Sequence, residues 1–162
     1  MDDLARRVEK VEAERAIERL IYGYGHLLDF DDPDAYAAQF TEEGAVEIQG
    51  AFRNLFNSGS QPYESEGVAA GAEPTARGIA FRGREALRRF VGKNGKPVRT
   101  LHVVTQPLIE LIVPNKARAS SYMRVYRQEL GGEIVLEGFG RYLDEFELTQ
   151  AGWRFSHRIC EV

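Results

Sequence analysis

Three long strand patterns follow one another in the second half of the sequence: RTLHVVTQPLIELIV at 99–113, KARASSYMRVYRQEL at 116–130 and EIVLEGFGRYLDEFE at 133–147. A shorter pattern, at about 152–160, closes the chain. The links are short and rich in turn-forming residues, and Gly131-Gly132 is a two-residue hairpin signal. Such links join neighbouring antiparallel strands, so this half of the chain predicts an antiparallel meander.

Toward the N-terminus the patterns become helical. Residues from about Asp3 to Asp29 contain no proline and carry apolar residues at helical spacing. Pro33 suits the first turn of a short helix that runs past Phe40 and ends at 41–44. A third helix is predicted at 83–92, and short strands at 45–49 and 79–82.

Helices that precede a run of strands indicate an α+β fold. No linker or internal repeat is visible, so residues 1–162 are predicted to form a single domain. The exception to the regular patterns is the segment 54–78, which is rich in Gly, Ser, Ala, Glu and Pro. A segment this long without periodicity is predicted to be an insertion or a lid over a binding site.

The strand around 108–113 is apolar on one side and mostly apolar on the other. This pattern is typical of a sheet that is covered on both faces. The helices can cover only one face, so the other is predicted to meet a second copy of the chain, in a dimer or trimer.

Composition excludes several kinds of partner. The net charge of −4 and the lack of a basic run argue against nucleic acid. No apolar run approaches the length of a membrane helix, and the single cysteine, Cys160, makes a reducing cytoplasm the simplest setting. Neither a metal-binding cluster nor a glycine-rich phosphate loop is present, so no metal or cofactor is predicted.

His102 is the one histidine of three with apolar neighbours on both sides, in Leu101-His102-Val103. A buried imidazole can act as a proton acceptor, and a carboxylate at its other nitrogen would fix the tautomer. Asp29, at the end of the first helical pattern, is the candidate carboxylate. The alternative is a core histidine that bonds to a backbone carbonyl.

A strongly curved sheet with helices on its concave side would enclose an apolar pocket. Tyr22, His26 and Asp29 share one face of the first helix by their spacing. The residues predicted to line the pocket or bind substrate are Tyr22, Tyr24, His26, Asp29, Tyr36, Phe40, Phe56, His102, Tyr122, Phe139 and Arg158.

Four stretches of the sequence resemble the SnoaL-like branch of the nuclear-transport-factor-2-like superfamily. They are RVEKVEAERAIERLIYGYGHLLDFDDPDAYAAQFTEEGAVEI, FRGREALRRFV, RTLHVVTQPLIEL and GRYLDEFELTQAGWRFSHR. The resemblance covers nearly the whole chain and implies a cone-shaped fold, in which a curved sheet and three helices surround a deep pocket. The superfamily includes scytalone dehydratase, bile-acid dehydratase, hexachlorocyclohexane dehydrochlorinase, ketosteroid isomerase and polyketide cyclases, as well as proteins that bind ligands without catalysis.

The resemblance also implies roles for individual residues. Its dehydratase members pair an aspartate at the end of the first helix with a histidine on the sheet, which correspond to Asp29 and His102. The bile-acid dehydratase type adds a tyrosine and a last-strand arginine, which correspond to Tyr24 and Arg158. The ketosteroid isomerase pattern fits less well, because its base would fall near Ile48.

These residues predict a cofactor-independent lyase that acts on a small, cyclic, largely apolar substrate. His102 would remove a proton from carbon, Asp29 would orient the imidazole, and Tyr24 and Arg158 would stabilise developing negative charge. Two alternatives stay open: an isomerase or polyketide-type cyclase that uses the same dyad, and a binding protein without catalysis.

Overall fold

A computed structural model describes residues 3–50, 71–91 and 98–162. In chain order, its elements are α1 (Asp3–Asp29), α2 (Pro33–Ala38), β1 (Phe40–Gln49), β2 (Ala72–Pro74), β3 (Gly78–Arg82), α3 (Gly83–Val91), β4 (Val98–Val113), β5 (Lys116–Glu129), β6 (Ile134–Thr149) and β7 (Gly152–Glu161). The predicted α+β class is confirmed, and the four long strands agree with their predicted positions within two residues.

The strands form one curved, unclosed sheet in the order β2-β3-β1-β7-β6-β5-β4. The meander from β4 to β7 is antiparallel throughout. β1 is inserted between β3 and β7 and runs parallel to β7, which joins the first half of the chain to the last strand. β4 is left at one edge of the sheet, and the C-terminal part of α1 packs against it.

The helices cover one face of the sheet, which we call the inner face. Ile17 and Ile21 of α1 are fully buried there, in a core cluster that includes the strand residues Phe155 and Val46. The opposite, outer face carries Leu108, Tyr122 and Phe139, among other exposed side chains. Alternation along the strands therefore sorts the side chains into a helix-covered set and a set without cover.

β1 begins five residues earlier than the sequence pattern predicted, because α2 ends at Ala38 rather than continuing past Phe40. Phe40 instead pairs with Phe155 of β7, and the backbone of Gln39 accepts a hydrogen bond from the nitrogen of Phe155. The register shifts between Phe40 and Ala45. Pairing with a distant strand thus overrides the local preference for helix at 39–44.

A second irregularity bends β4. The register with β5 shifts between Thr105 and Leu108, and Gln106 has a φ of 53°. Pro107 cannot donate a backbone hydrogen bond, and an edge strand is where proline is tolerated in a sheet. The extra residue shifts the phase of the alternation, so that Val104 before the bend and Ile109 after it both lie on the inner face.

The predicted insertion at 54–78 falls largely outside the described residues, and so does Phe56. Its described end was predicted without secondary structure, yet Ala72–Pro74 forms β2 and pairs with β3. Three residues are too few to show the alternation of a strand, so the sequence pattern did not predict β2. None of the described helices combines the length and the apolar character needed to span a membrane.

Candidate functional site

The predicted contact between Asp29 and His102 is present in the structure. α1 ends at Asp29, and this end of the helix lies beside β4. Oδ2 of Asp29 accepts a hydrogen bond of 2.7 Å from the backbone nitrogen of His102. Oδ1 lies 2.6 Å from His102 Nδ1 and accepts a bond of 3.1 Å from Thr100 Oγ1. One carboxylate therefore binds the imidazole and also satisfies a backbone N–H of the edge strand.

This arrangement determines which nitrogen of His102 is available. A carboxylate can only accept hydrogen bonds, so Nδ1 carries the hydrogen and Nε2 of the neutral ring keeps a lone pair. The side chain of Asp29 is 4% exposed and that of His102 is 14% exposed. The ring is thus held by a nearly buried carboxylate while keeping some access to solvent, as a proton-accepting group requires.

Gly25 allows α1 to approach β4 this closely. A Cβ atom at Gly25 would lie 2.9 Å from the carbonyl oxygen of His102 and 3.1 Å from its Cβ. Any larger side chain would push the helix and His102 apart. The sequence signal was a glycine inside a helical pattern, one turn before Asp29.

Arg158 and Tyr24 lie in the buried core. Arg158 is fully buried, and its Nε and Nη2 donate to Asp144 at 2.7 and 2.8 Å. The guanidinium stacks over the rings of Tyr24 and Tyr142 at 4.0 and 4.1 Å. These contacts are typical of a structural ion pair enclosed by aromatic rings. The predicted catalytic roles of Tyr24 and Arg158 stay predictions.

Burial dominates the electrostatics of this cluster. It raises the pKa of Tyr24 and of Tyr142 well above the usual value for tyrosine. It also raises the pKa of the Cys160 thiol to about 12, against the opposing effect of Arg158. For Arg158 burial is the largest single effect and disfavours the charge, but the combined effects of Asp144, Tyr24 and Tyr142 exceed it, so the pKa of Arg158 is raised. The phenols and the thiol are therefore neutral at ordinary pH.

The other predicted pocket residues do not gather around His102. Tyr36 and Phe40 are fully buried in the aromatic core, where the Tyr36 hydroxyl donates to that of Tyr24 at 3.1 Å. Tyr22 and His26 are exposed on α1. The helical spacing that they share with Asp29 does not bring Tyr22 and His26 to His102. Asp29 is the last residue of α1, and its side chain reaches β4 at the edge of the sheet.

Tyr122 and Phe139 lie on the outer face, with 61% and 71% of their surfaces exposed. Their prediction as pocket residues is corrected by strand alternation: Ser121 and Met123 flank Tyr122 and point inward, as their burial shows. A groove of about 490 Å³ also lies on this face, lined by residues that include Leu108, Arg118 and Leu143. The predicted apolar pocket between helices and sheet stays a prediction.

Two further polar residues stand near His102. Thr100 shares its face of β4 and bonds to Asp29. Glu137 of β6 is half-buried and forms an ion pair of 3.0 Å with Arg127 of β5. Burial raises the pKa of Glu137, whereas the charges of Arg127 and His102 act to lower it. The sequence signal for Glu137 was its place before the Gly-Phe-Gly stretch 138–140, since glycine within a strand often marks a bulge.

Comparison with known proteins identifies the family. The model of the SnoaL-like domain matches residues 9–159. A comparison of the sequence with curated proteins finds no match. Among the described residues, no group of three or more His, Cys, Asp or Glu side chains is arranged to hold a metal.

Solved structures agree on the fold. An NTF2-like protein with a cystatin-like fold from Novosphingobium aromaticivorans is 21% identical with a TM-score of 0.71, covering 100% of this chain and 91% of its own. A protein provisionally named a scytalone dehydratase, from the same species, is 19% identical with a TM-score of 0.67, covering 94% of this chain and 85% of its own. Because the family model spans almost the entire sequence, the chain belongs to the SnoaL-like domain family within the NTF2-like fold.

Proposed function

We propose that this protein is a cofactor-independent lyase that eliminates water, or a comparable leaving group, from a small, cyclic, largely apolar substrate. The observation that carries the proposal is the double attachment of His102 to Asp29, through its backbone nitrogen and its ring, at 2.7 and 2.6 Å. The similarity to a protein provisionally named a scytalone dehydratase agrees with this class of reaction.

In the proposed reaction, Nε2 of His102 removes a proton from the carbon next to a ketone. The electron pair of the broken C–H bond forms the new double bond, and the leaving group departs with the pair of its own bond to carbon. Asp29 keeps the ring in the required tautomer and stabilises the imidazolium that results. General base catalysis of this kind is worth roughly 10²–10⁴-fold in rate.

The test uses α-tetralone that carries a hydroxyl group on the carbon β to the carbonyl. Loss of water converts this compound to α-naphthol, which is detected by fluorescence above the rate without protein. We expect turnover by the native chain and a loss of roughly 10²–10⁴-fold in His102→Gln. His157→Gln, a histidine on the outer face, serves as the control.

The same assay separates the alternatives. Isomerisation or cyclisation by the dyad would yield a product with the mass of the substrate. A binding protein without catalysis would bind the tetralone and release it unchanged. Turnover that survives in His102→Gln would contradict the assignment of the base.

We also propose that a second copy of the chain covers the outer face. Leu108 and Phe139 expose 74% and 71% of their surfaces there. Large apolar side chains exposed together on one face are typical of a protein–protein interface. Arg118 and Glu145 both line the groove, so a symmetry axis through this face can place the arginine of one copy near the glutamate of another.

Sedimentation analysis of the double variant Leu108→Glu/Phe139→Glu tests the interface. The native chain should be dimeric or trimeric and the variant monomeric, whereas Tyr22→Glu on the exposed side of α1 should keep the native assembly. A native chain that is monomeric at micromolar concentration would refute it.

A further inference from the structure

We propose that Glu137 is a substrate-binding residue of the Asp29–His102 site, and that it selects a neutral substrate with a hydroxyl group on its ring. The inference rests on the proposed function of that site and adds the chemical class of its ligand.

His102 of β4 pairs with Val125 of β5, and Val125 pairs in turn with Gly138 of β6. The next pair is Tyr126 with Leu136, so Glu137 is an extra residue in β6. An extra residue of this kind forms a β-bulge, which re-aims a side chain relative to regular alternation. The bulge therefore lies next to the cross-strand row of His102, two strands away.

The environment of Glu137 indicates that its side chain is directed to the inner face. Its side chain is only 17% exposed, and Arg127 contacts it through Nε at 3.0 Å. Arg127 is paired across the strands with Thr100, and Thr100 bonds to Asp29. The charge of His102 acts on Glu137, lowering a pKa that burial raises, which places the two groups within electrostatic range.

Charge then indicates the kind of ligand. Two carboxylates, Asp29 and Glu137, stand near His102, while Arg127 also bonds to Glu129 at 2.6 Å. An anionic substrate would be repelled at this end of the site. A carboxylate only accepts hydrogen bonds and has about four acceptor positions, so one contact with Arg127 leaves capacity for a hydroxyl donor.

The first experiment tests the placement without any ligand. The carboxyl carbon of Glu137 is followed by NMR through an acid titration and assigned with Glu137→Gln. We expect the pKa of Glu137 to rise further in His102→Gln, because a neighbouring positive charge is lost, and to stay the same in His157→Gln. A pKa that is unchanged in His102→Gln would overturn the proposal.

The second experiment tests the selectivity with β-tetralol and its hydroxyl-free analogue tetralin, in the native assembly. Neither compound has the ketone needed for proton removal, so binding is measured whether or not the proposed reaction occurs. The native protein should prefer β-tetralol, and Glu137→Ala should reduce that preference by at least about tenfold, as expected for a hydrogen bond to a charged group.

Glu147→Ala is the matched control. Glu147 also lies on β6 and pairs with a cation on β5, Lys116 at 3.5 Å, but on the outer face. It should keep the native preference. No preference in the native protein, including binding of neither compound, or an equal loss in Glu147→Ala, would refute the role of Glu137.

Discussion

Two carboxylates in this protein each hold a basic side chain, and their surroundings differ. Asp144 accepts two hydrogen bonds from Arg158. Both side chains are fully buried, and aromatic rings pack against the guanidinium. Asp29 binds His102 at the edge of the sheet, where the side chain of His102 keeps part of its surface exposed. The first pair is closed off from solvent, whereas the second holds an imidazole that keeps partial exposure.

The two pairs differ in what the carboxylate does for its partner. An arginine remains charged at any ordinary pH, so a buried arginine requires its carboxylate permanently. A histidine can exist in neutral form, and its carboxylate selects a tautomer in addition to contributing stability. The following variants test whether the two pairs differ in this way.

The largest effect is expected from Asp144→Ala. Removal of this carboxylate leaves the charge of Arg158 buried and unpaired, which should cost about 3–5 kcal/mol of unfolding free energy. Urea unfolding measures it, with Glu147→Ala on the outer face expected to change stability by no more than about 0.5 kcal/mol. Similar losses of unfolding free energy in the two variants would show that Arg158 does not depend on Asp144 to compensate its buried charge.

Asp29→Asn should cost less stability, about 1–3 kcal/mol, because the amide can still accept some of the bonds that Asp29 makes. Its larger consequence should be on the ring: without the carboxylate, His102 is no longer restricted to the tautomer with hydrogen on Nδ1. Nitrogen NMR of the histidine side chains reports the tautomer directly. Asp34→Asn, at an exposed ion pair with Arg88, is the control. A ring that kept its single tautomer would show that Asp29 does not orient it.

Gly25→Ala tests how closely α1 must approach the backbone of His102. Alanine favours helix by up to about 1 kcal/mol over glycine, but the new Cβ would overlap the backbone of His102, at a typical cost of 1–3 kcal/mol. We expect a net loss of about 1 kcal/mol and reduced turnover. Gly23→Ala meets only the flexible end of Gln39, so it should keep or gain stability in the same thermal unfolding assay.

The smallest effect is expected at alkaline pH, in the core. Burial raises the pKa of Tyr24, Tyr142 and Cys160, so the fold favours their neutral forms. Below pH 9.0, the ordinary pKa of the thiol, this contribution is fully present. Above it the unfolded chain ionises first, and stability is lost as the pH rises toward the folded value of about 12.

Urea midpoints measured across this range should fall less steeply in Tyr142→Phe than in the native chain. Tyr122→Phe removes an exposed phenol and should follow the native curve. Equal slopes in all three proteins would mean that the buried phenol is not held neutral by the fold.

The elements of the fold were predictable because their signals are local. α1 was predicted over its full observed length, since its apolar spacing and its lack of proline lie within the helix itself. The four strands of the meander followed from alternation and short turns. β2 was missed because three residues carry no period, and the early start of β1 was missed because it depends on Phe155, which is more than a hundred residues away.

The candidate site was predictable only in part, because it depends on how distant segments pack as well as on local sequence. Asp29 and His102 were identified by sequence motif and by apolar flanks, and the structure places them in contact. Tyr122 and Phe139 were expected in the pocket, yet both lie on the outer face. Alternation states that neighbours along a strand face opposite ways, but it cannot say which face the helices will cover.

The sequence by itself determined the α+β class, the order of the elements and the pair of residues that merits testing as an acid–base dyad. These depend on hydrophobic period, turn composition and motif, all of which are properties of short stretches. Only the tertiary structure decided that Gly25 must be small, that Arg158 is bound by Asp144, and that the bulge at Glu137 lies next to the cross-strand row of His102. Each of these depends on atoms from distant strands or helices, and their packing has no signature within one segment.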